Sequence, residues 1–206
     1  MRQPRNIIFD LGNVLITFDP MEFLTHLLND GERAHQCYEL IIKSPEWREL
    51  DRGKIRVEQA KSIFIERQPA LRDAVELFFQ HWLSMFQPIE ETVAILDDLR
   101  AAGYRLYVLS NIIRESYEDL RARLTFWDRF EGVVVSYALK TAKPEPAIYQ
   151  YLLDHYQLNP ADCLFIDDME PNVAGARAVG IPAVRFHSVE DLRKILRERG
   201  ILGSAV

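Results

Sequence analysis

The sequence predicts an α/β fold, a Rossmann-like open parallel five-stranded sheet with an inserted α-helical cap domain. Three observations carry that prediction. Five short apolar runs alternate with segments of helical periodicity, and near-continuous apolar strands belong to parallel sheets covered on both faces. A long block with helical periodicity and no strand-like alternation separates the first run from the second. Two of the runs end on carboxylates, Ile7-Ile8-Phe9-Asp10 and Cys163-Leu164-Phe165-Ile166-Asp167-Asp168, as expected when strands of one sheet deliver acids to the same edge.

Residues 6–10 read as a short buried strand. Over 20–86 the pattern is helical. Phe23, Leu24, Leu27 and Leu28 share a face, as do Val57, Ala60, Ile63 and Phe64, and then Val75, Phe78, Phe79 and Trp82. Ser44-Pro45 and Gln68-Pro69 punctuate this block, because proline suits the first turn of a helix and disrupts its interior. Asp51-Arg52-Gly53-Lys54 reads as a polar turn between helices.

From Pro88 strands alternate with helices. A helix through Val93, Leu96 and Leu99 stops at Gly103, a suitable left-handed cap, and the strand 105–109 ends at Ser110-Asn111. The strand 132–135 is followed by a loop and a helix with Ile148, Tyr149, Leu152 and Leu153. The strand 164–166 leads to a helix through Val173, Ala176 and Val179, capped by Gly180. Residues 181–186 form the last strand and 189–199 a closing amphipathic helix, with a loose tail expected from Gly200. The core domain is expected over 1–16 and 88–206, and the helical cap domain over 17–87. Every chemically interesting residue falls at a strand carboxyl end, where open α/β sheets bind ligands.

Composition narrows the function. A formal charge of -6 argues against nucleic acid, whose binding rests on Lys and Arg neutralising phosphates, but leaves room for a small phosphorylated metabolite. Hydrophobic content of 48% and charged content of 27% suit a soluble globular chain. Cys37 and Cys163 lack the spacing of a metal knuckle or redox pair and read as buried thiols of a reducing compartment. No apolar stretch approaches the ~18 residues that span a bilayer, and the first residues run straight into a strand without room for a signal peptide. A cytoplasmic monomer or homodimer that engages no membrane is the expectation.

Each motif has an ordinary reading when taken alone. Asp10 and Asp167-Asp168 could make turns or cap helices, Ser110-Asn111 could begin a helix, and Lys143-Pro144 could be a solvated turn. As an ordered set, strand-Asp, strand-Ser-Asn, loop-Lys-Pro and strand-Asp-Asp with a helical insert after the first, the chain resembles the haloacid dehalogenase-like hydrolase superfamily over essentially its full length. That resemblance implies Asp10 as nucleophile, Ser110 with Asn111 on phosphate, Lys143 as the neutralising charge, and Asp167/Asp168 as an acidic pair for Mg2+. The chemistry suits these residue types. A carboxylate attacking phosphorus forms an aspartyl-phosphate and divides a hard hydrolysis into two steps. Magnesium favours oxygen ligands, here the carboxylates of Asp10 and Asp168 and the backbone carbonyl of Gly12, with Asp167 acting from behind or through water.

One departure stands out. Most phosphatases of the superfamily carry a second Asp two residues after the nucleophile as general acid, and this chain has Gly12 there. A positioned acid is worth ~10²–10⁴-fold, so its loss should slow catalysis without abolishing it. The string Asp10-Leu11-Gly12-Asn13-Val14, and less specifically Asp51-Arg52-Gly53-Lys54-Ile55, resembles the bacterial α-D-glucose-1-phosphate phosphatase-like branch, which keeps Gly at that place. An anomeric phosphate has a comparatively acidic leaving group and depends less on protonation, so a sugar phosphate such as glucose 1-phosphate is the candidate substrate. Thr17 and Asp19 are candidate substitute polar groups.

Other residues carry weaker signals. His26, His35, His81, His155 and His187 show no ligand spacing; Trp47, Trp82 and Trp127 read as packing of the cap and its junction, or as a pocket wall; Arg52 reads as exposed or substrate-facing. Asn172 either orients the metal site or caps the following helix. The leading function is a magnesium-dependent phosphatase acting on a small phosphorylated metabolite. A 2-haloacid dehalogenase needs no metal and would not require Asp167-Asp168, and a phosphomutase needs the acid missing at Gly12. A catalytically impaired binding or regulatory protein is the non-enzymatic alternative.

Overall fold

The structure is a computed structural model that describes residues 3–203. Five strands, β1 (Asn6–Phe9), β2 (Arg105–Ser110), β3 (Gly132–Val135), β4 (Cys163–Asp167) and β5 (Ala183–Arg185), form one parallel sheet in the order β3-β2-β1-β4-β5. The first strand therefore lies at the centre, and the chain builds outward on one side of it before crossing to the other. That reversal of strand order opens a crevice at the carboxyl ends of β1, β2 and β4. All four residues of β1 are buried, which is why the run is apolar without alternation.

Register decides which side chains meet. Phe9 pairs with Val108 on one flank and with Ile166 on the other. The next residue of each strand is then Asp10, Leu109 and Asp167, so the carboxylates from β1 and β4 stand level, one strand spacing of ~4.8 Å apart. Alternation splits the core into two layers. Ile7 and Phe9 pack with Leu96 and Leu99 of α6 (Glu90–Ala101), Leu120 of α7 (Arg114–Arg123) and Leu192 and Leu196 of α11 (Val189–Glu198). Ile8 and Phe165 pack with Ile148, Tyr149 and Leu152 of α9 (Pro146–His155) and Val173 and Ala176 of α10 (Glu170–Ala178).

Between β1 and β2 lie α1 (Pro20–Leu28), α2 (Gly31–Ile41), α3 (Pro45–Asp51), α4 (Val57–Arg67) and α5 (Arg72–His81), closed by a 3-10 turn at Trp82–Met85. The starts are set locally. Asp19, Asp30 and Ser44 accept from the first helical N–H groups of α1, α2 and α3, and Pro20 and Pro45 occupy first-turn positions. Phe78, Phe79, Trp47 and Trp82 pack their rings at centroid separations of 5.1–6.3 Å, and this aromatic group is continuous with the apolar layer under Ile7 and Phe9.

Two expectations need correcting. The helix α7 and the short α8 (Ser136–Leu139) were not anticipated. In α7 only Ser116 and Leu120 are buried, so a mostly charged sequence hides its periodicity. The tail from Gly200 is not loose as far as it is described. Gly200 turns at φ 68° and Ile201, 3% exposed, packs into the core; the expectation for residues 204–206 lies outside the described residues.

The loop that carries Lys143 is pressed against α10 at Gly175. A Cβ there would sit 2.9 Å from the Pro144 carbonyl oxygen and 3.0 Å from the Tyr149 hydroxyl. Helix propensity alone makes alanine the better residue by ~1 kcal/mol, but the clash reverses the sign. Gly175→Ala should cost ~1–3 kcal/mol; a urea midpoint equal to or above wild type would contradict this packing.

Candidate active site

Asp10 follows β1 directly, and its N–H donates to the Ile166 carbonyl (2.9 Å), which ties it to β4. The Lys143 ammonium lies between two carboxylates, 2.8 Å from Asp10 Oδ1 and 2.6 Å from Asp167 Oδ2, with its side chain 0% exposed. Asn111, just beyond β2, fixes the lysine's backbone: the Lys143 N–H donates to Asn111 Oδ1 (2.8 Å), and Asn111 Nδ2 donates to the Lys143 carbonyl (2.9 Å). The Asn111 side chain thus holds Lys143, and any part of Asn111 in binding an anion falls to its main chain.

Asp167 is fully buried and saturated. Oδ1 accepts from the Met169 N–H (2.8 Å) and Asn172 Nδ2 (3.0 Å), while Oδ2 accepts from Lys143 and Asn172 Nδ2 (3.1 Å). The Asn172 side chain binds Asp167 and does not cap α10. Asp168 is less buried, and Asn13 Nδ2 reaches its Oδ2 at 3.4 Å. Asn13 sits at φ 54°, a left-handed turn that asparagine tolerates better than most residues.

Burial pushes the Asp10 carboxyl above its ordinary range, Lys143 opposes that shift, and Asp167 and Asp168 add to it. For Lys143 burial alone would lower the pKa, but Asp10 and Asp167 outweigh it and hold the group charged. Burial, followed by Asp167, raises Asp168. Fully ionised, Asp10, Asp167 and Asp168 would set three negative charges against the one of Lys143. A divalent cation would offset the remainder, and one oxygen from each acid lies within 4.8 Å of the others.

The donors fit magnesium. The Gly12 carbonyl accepts no protein hydrogen bond among the described residues, and both protein donors to the Asp10 carboxylate, Leu11 N–H and Lys143, meet Oδ1. Asp167 has no such spare capacity, so the free oxygens belong to Asp10, Asp168 and Gly12.

The pocket above the cluster is open to solvent and spans about 760 Å³, its mouth included. Its floor is Asp10, Gly12, Ser110, Lys143 and Asp168; its wall is Ile16, Phe18, Trp47, Phe86, Ile112 and Ile113. Trp47 is thus a wall residue, whereas Trp82 packs behind it and Trp127 bonds the Leu120 carbonyl (2.9 Å). The proposed substitutes for the missing acid fall elsewhere. Thr17 donates to the Met85 carbonyl (2.7 Å) and accepts from the Gln87 N–H (3.0 Å), and Asp19 caps α1; neither lines the pocket. Arg52 also turns away, onto Glu145 at 2.6 Å.

The sequence reading missed Asp51, the last residue of α3, which lines the same pocket as Asp10 and Lys143. Burial is the main cause that lifts its carboxyl to about 7; Asp10 adds to the rise, while Arg52 and Lys143 oppose it. An acid at the end of a seven-residue helix, beside an Arg-Gly turn, gave no signal beyond an ordinary polar turn.

That carboxyl makes a prediction for the metal-free protein. The group binds its proton at 3.8 when unfolded and at about 7 when folded, so stability falls as pH rises across that window. Asp51→Asn should therefore stabilise the protein near pH 8, by at most about 4 kcal/mol, and change little near pH 4. Denaturant melts at the two pH values check this; an equal effect at both would refute it.

The family model described as haloacid dehalogenase-like hydrolase matches residues 4–180. The chain is similar to the sesquiterpene phosphatase astK of Aspergillus oryzae, 26% identical over 196 residues, 95% of each chain. It is similar to the D-ribitol-5-phosphate phosphatase of Bacteroides thetaiotaomicron, 23% identical, covering 93% of this chain and 96% of that one. Among solved structures it is similar to the HAD family enzyme bt-2542 of the same bacterium, in complex with magnesium and inorganic phosphate, at a TM-score of 0.70 and 25% identity, covering 94% and 100% of the two chains.

Proposed function

The chain belongs to the haloacid dehalogenase-like hydrolases, and from that premise we propose that it is a magnesium-dependent phosphatase of a small phosphomonoester, working through an aspartyl-phosphate on Asp10. The observation that carries this reading is the meeting of Asp10, Lys143 and Asp168 at one sheet edge beneath an open pocket. Magnesium, held by Asp10, Asp168 and the Gly12 carbonyl, would offset the charge of the phosphoryl group. Asp10 attacks phosphorus and expels the alcohol; water then cleaves the acyl phosphate. Lys143 keeps Asp10 ionised and in place and supports the charge on the transferring oxygens. The Ser110 hydroxyl and the main chain at Asn111 orient the remaining oxygens, since positioning and electrostatics dominate phosphoryl transfer. The paired acids beyond β4 disfavour a metal-free dehalogenase.

We divide the chain into a core of residues 1–16 and 88–206 and a cap of 17–87. The two crossings lie side by side, with Thr17 N–H on the Gln87 carbonyl (2.8 Å) and Ile89 N–H on the Leu15 carbonyl (2.9 Å). In this division the cap supplies Phe18, Trp47, Asp51 and Phe86 to the pocket. Closing it over substrate would exclude water.

For the leaving group, a sugar 1-phosphate such as glucose 1-phosphate is supported by the string 10–14 and the missing side chain at Gly12. The apolar wall of Ile16, Phe18, Trp47, Phe86, Ile112 and Ile113 favours a second reading, a phosphomonoester with a hydrocarbon leaving group. The sesquiterpene phosphatase is the relative whose name fits that wall.

Purified protein should hydrolyse p-nitrophenyl phosphate only with magnesium, and Asp10→Asn should lower kcat ~10³-fold or more. Chelator-resistant turnover, or an active Asp10→Asn variant, would refute the mechanism. On a panel of glucose 1-phosphate, glucose 6-phosphate and geranyl phosphate, the wall predicts that geranyl phosphate has the highest kcat/KM, by at least about tenfold. Preference for a sugar phosphate would discard the wall reading, and preference for the 6-phosphate over the 1-phosphate would discard the anomeric one.

A further inference from the structure

We infer that Asp51, supplied by the cap, is the general acid and base of the reaction, in place of the side chain missing at Gly12. The inference rests on the phosphatase reading above and deepens it.

In-line displacement sends the leaving oxygen away from the attacking carboxylate. Asp10 attacks from the sheet, so the alcohol departs toward the cap. Asp51 is the one carboxyl that the cap contributes to the pocket lining, and it lies near enough to Asp10 and Lys143 for both charges to act on it. Its position is enforced by contacts between α3 and the core. The Ser136 hydroxyl donates to the Asp51 carbonyl (2.5 Å), while the same hydroxyl accepts from the Ile112 N–H (2.9 Å) next to the floor. Two residues on, Gly53 adopts φ 60° and lies so close to the Tyr137 carbonyl that a Cβ would overlap it, and Lys140 Nζ donates to the Gly53 carbonyl. Arg52 Nε and Nη2 grip Glu145 Oε1 at 3.1 and 2.6 Å, and Thr141 donates to Glu145 Oε2 (2.7 Å). The loop that presents Lys143 from the core is therefore the loop on which Asp51 is mounted.

The proton accounting closes. As Asp10 forms its bond to phosphorus and the bond from phosphorus to the leaving oxygen breaks, the Asp51 carboxyl gives its proton to that oxygen and the alcohol leaves neutral. Asp51, now a carboxylate, takes a proton from the water that attacks the aspartyl-phosphate. Inorganic phosphate departs, Asp10 is freed as a carboxylate, and Asp51 is again protonated. The charges that act on Asp51 are Arg52 on its own turn and Asp10 and Lys143 across the pocket, and its carboxyl, raised to about 7, holds a proton at a pH where an exposed aspartate has none.

The test uses the full chain with magnesium and two esters that differ in their need for protonation, hexyl phosphate and p-nitrophenyl phosphate. Asp51→Asn should lower kcat/KM on hexyl phosphate by ~10²–10³-fold and on p-nitrophenyl phosphate by less than about tenfold. It should also remove the alkaline limb of the pH profile for hexyl phosphate. The site at Gly12 has room for a side chain, with Phe18 Cβ 3.9 Å from a built Cβ, so Gly12→Asp in the Asp51→Asn background should restore hexyl phosphate hydrolysis. Equal losses on both esters, or undiminished hydrolysis of hexyl phosphate, would overturn the assignment. A wild type that hydrolyses neither ester would instead overturn the phosphatase reading, and this assignment with it.

Discussion

One buried ammonium makes this site possible. Three carboxylates crowd the carboxyl edge of a sheet, and Lys143 lies between the two most buried, within 3 Å of each. Removing that cation would leave Asp10 and Asp167 facing each other in a medium that screens charge poorly, where an unpaired buried charge costs several kcal/mol. Much of the surrounding structure serves this placement. Asn111 clamps the lysine's backbone, Asn172 and the Met169 N–H saturate Asp167, and α10 meets the lysine loop at a glycine because no side chain fits.

With its acids ionised, the arrangement falls short of neutrality. The saturated acid, Asp167, anchors the lysine, while Asp10, Asp168 and the Gly12 carbonyl keep unused oxygen capacity toward the pocket. Burial raises both Asp10 and Asp168, and a divalent cation held between them would favour their charged forms. A site of this kind trades stability for affinity, as active sites commonly do.

The pocket joins distant parts of the chain. Strand ends and the loops beyond them supply the charged floor; the helical block and the segments flanking it supply most of the apolar wall and a single carboxyl. Their junction is tightest where Gly53 meets Tyr137 and where Arg52 meets Glu145. This geometry links specificity to chemistry, because the segment that shapes the wall also carries Asp51. It also changes the meaning of Gly12. Under the role proposed for Asp51, a glycine two residues after Asp10 does not demand an acidic leaving group, which agrees with the apolar character of the wall.

The sequence by itself determined the layered fold and the floor of the site. Burial on both faces forces parallel strands to be apolar, so each stands out from amphipathic helices, and the polar residues at their ends, Asp10, Ser110 and Asp167, mark the edge of the candidate site. Charged α7 escaped notice because it buries so little. Only the tertiary structure decided how the acids divide their work. Whether Asp167 or Asp168 faces a ligand depends on which lone pairs other side chains already occupy, and Asn111 and Asn172 show their partners only when distant loops meet. Asp51 was the least legible residue of all. Its local sequence is that of an ordinary polar turn, and its proximity to Asp10 comes from the docking of α3 on the core, a contact between segments more than eighty residues apart.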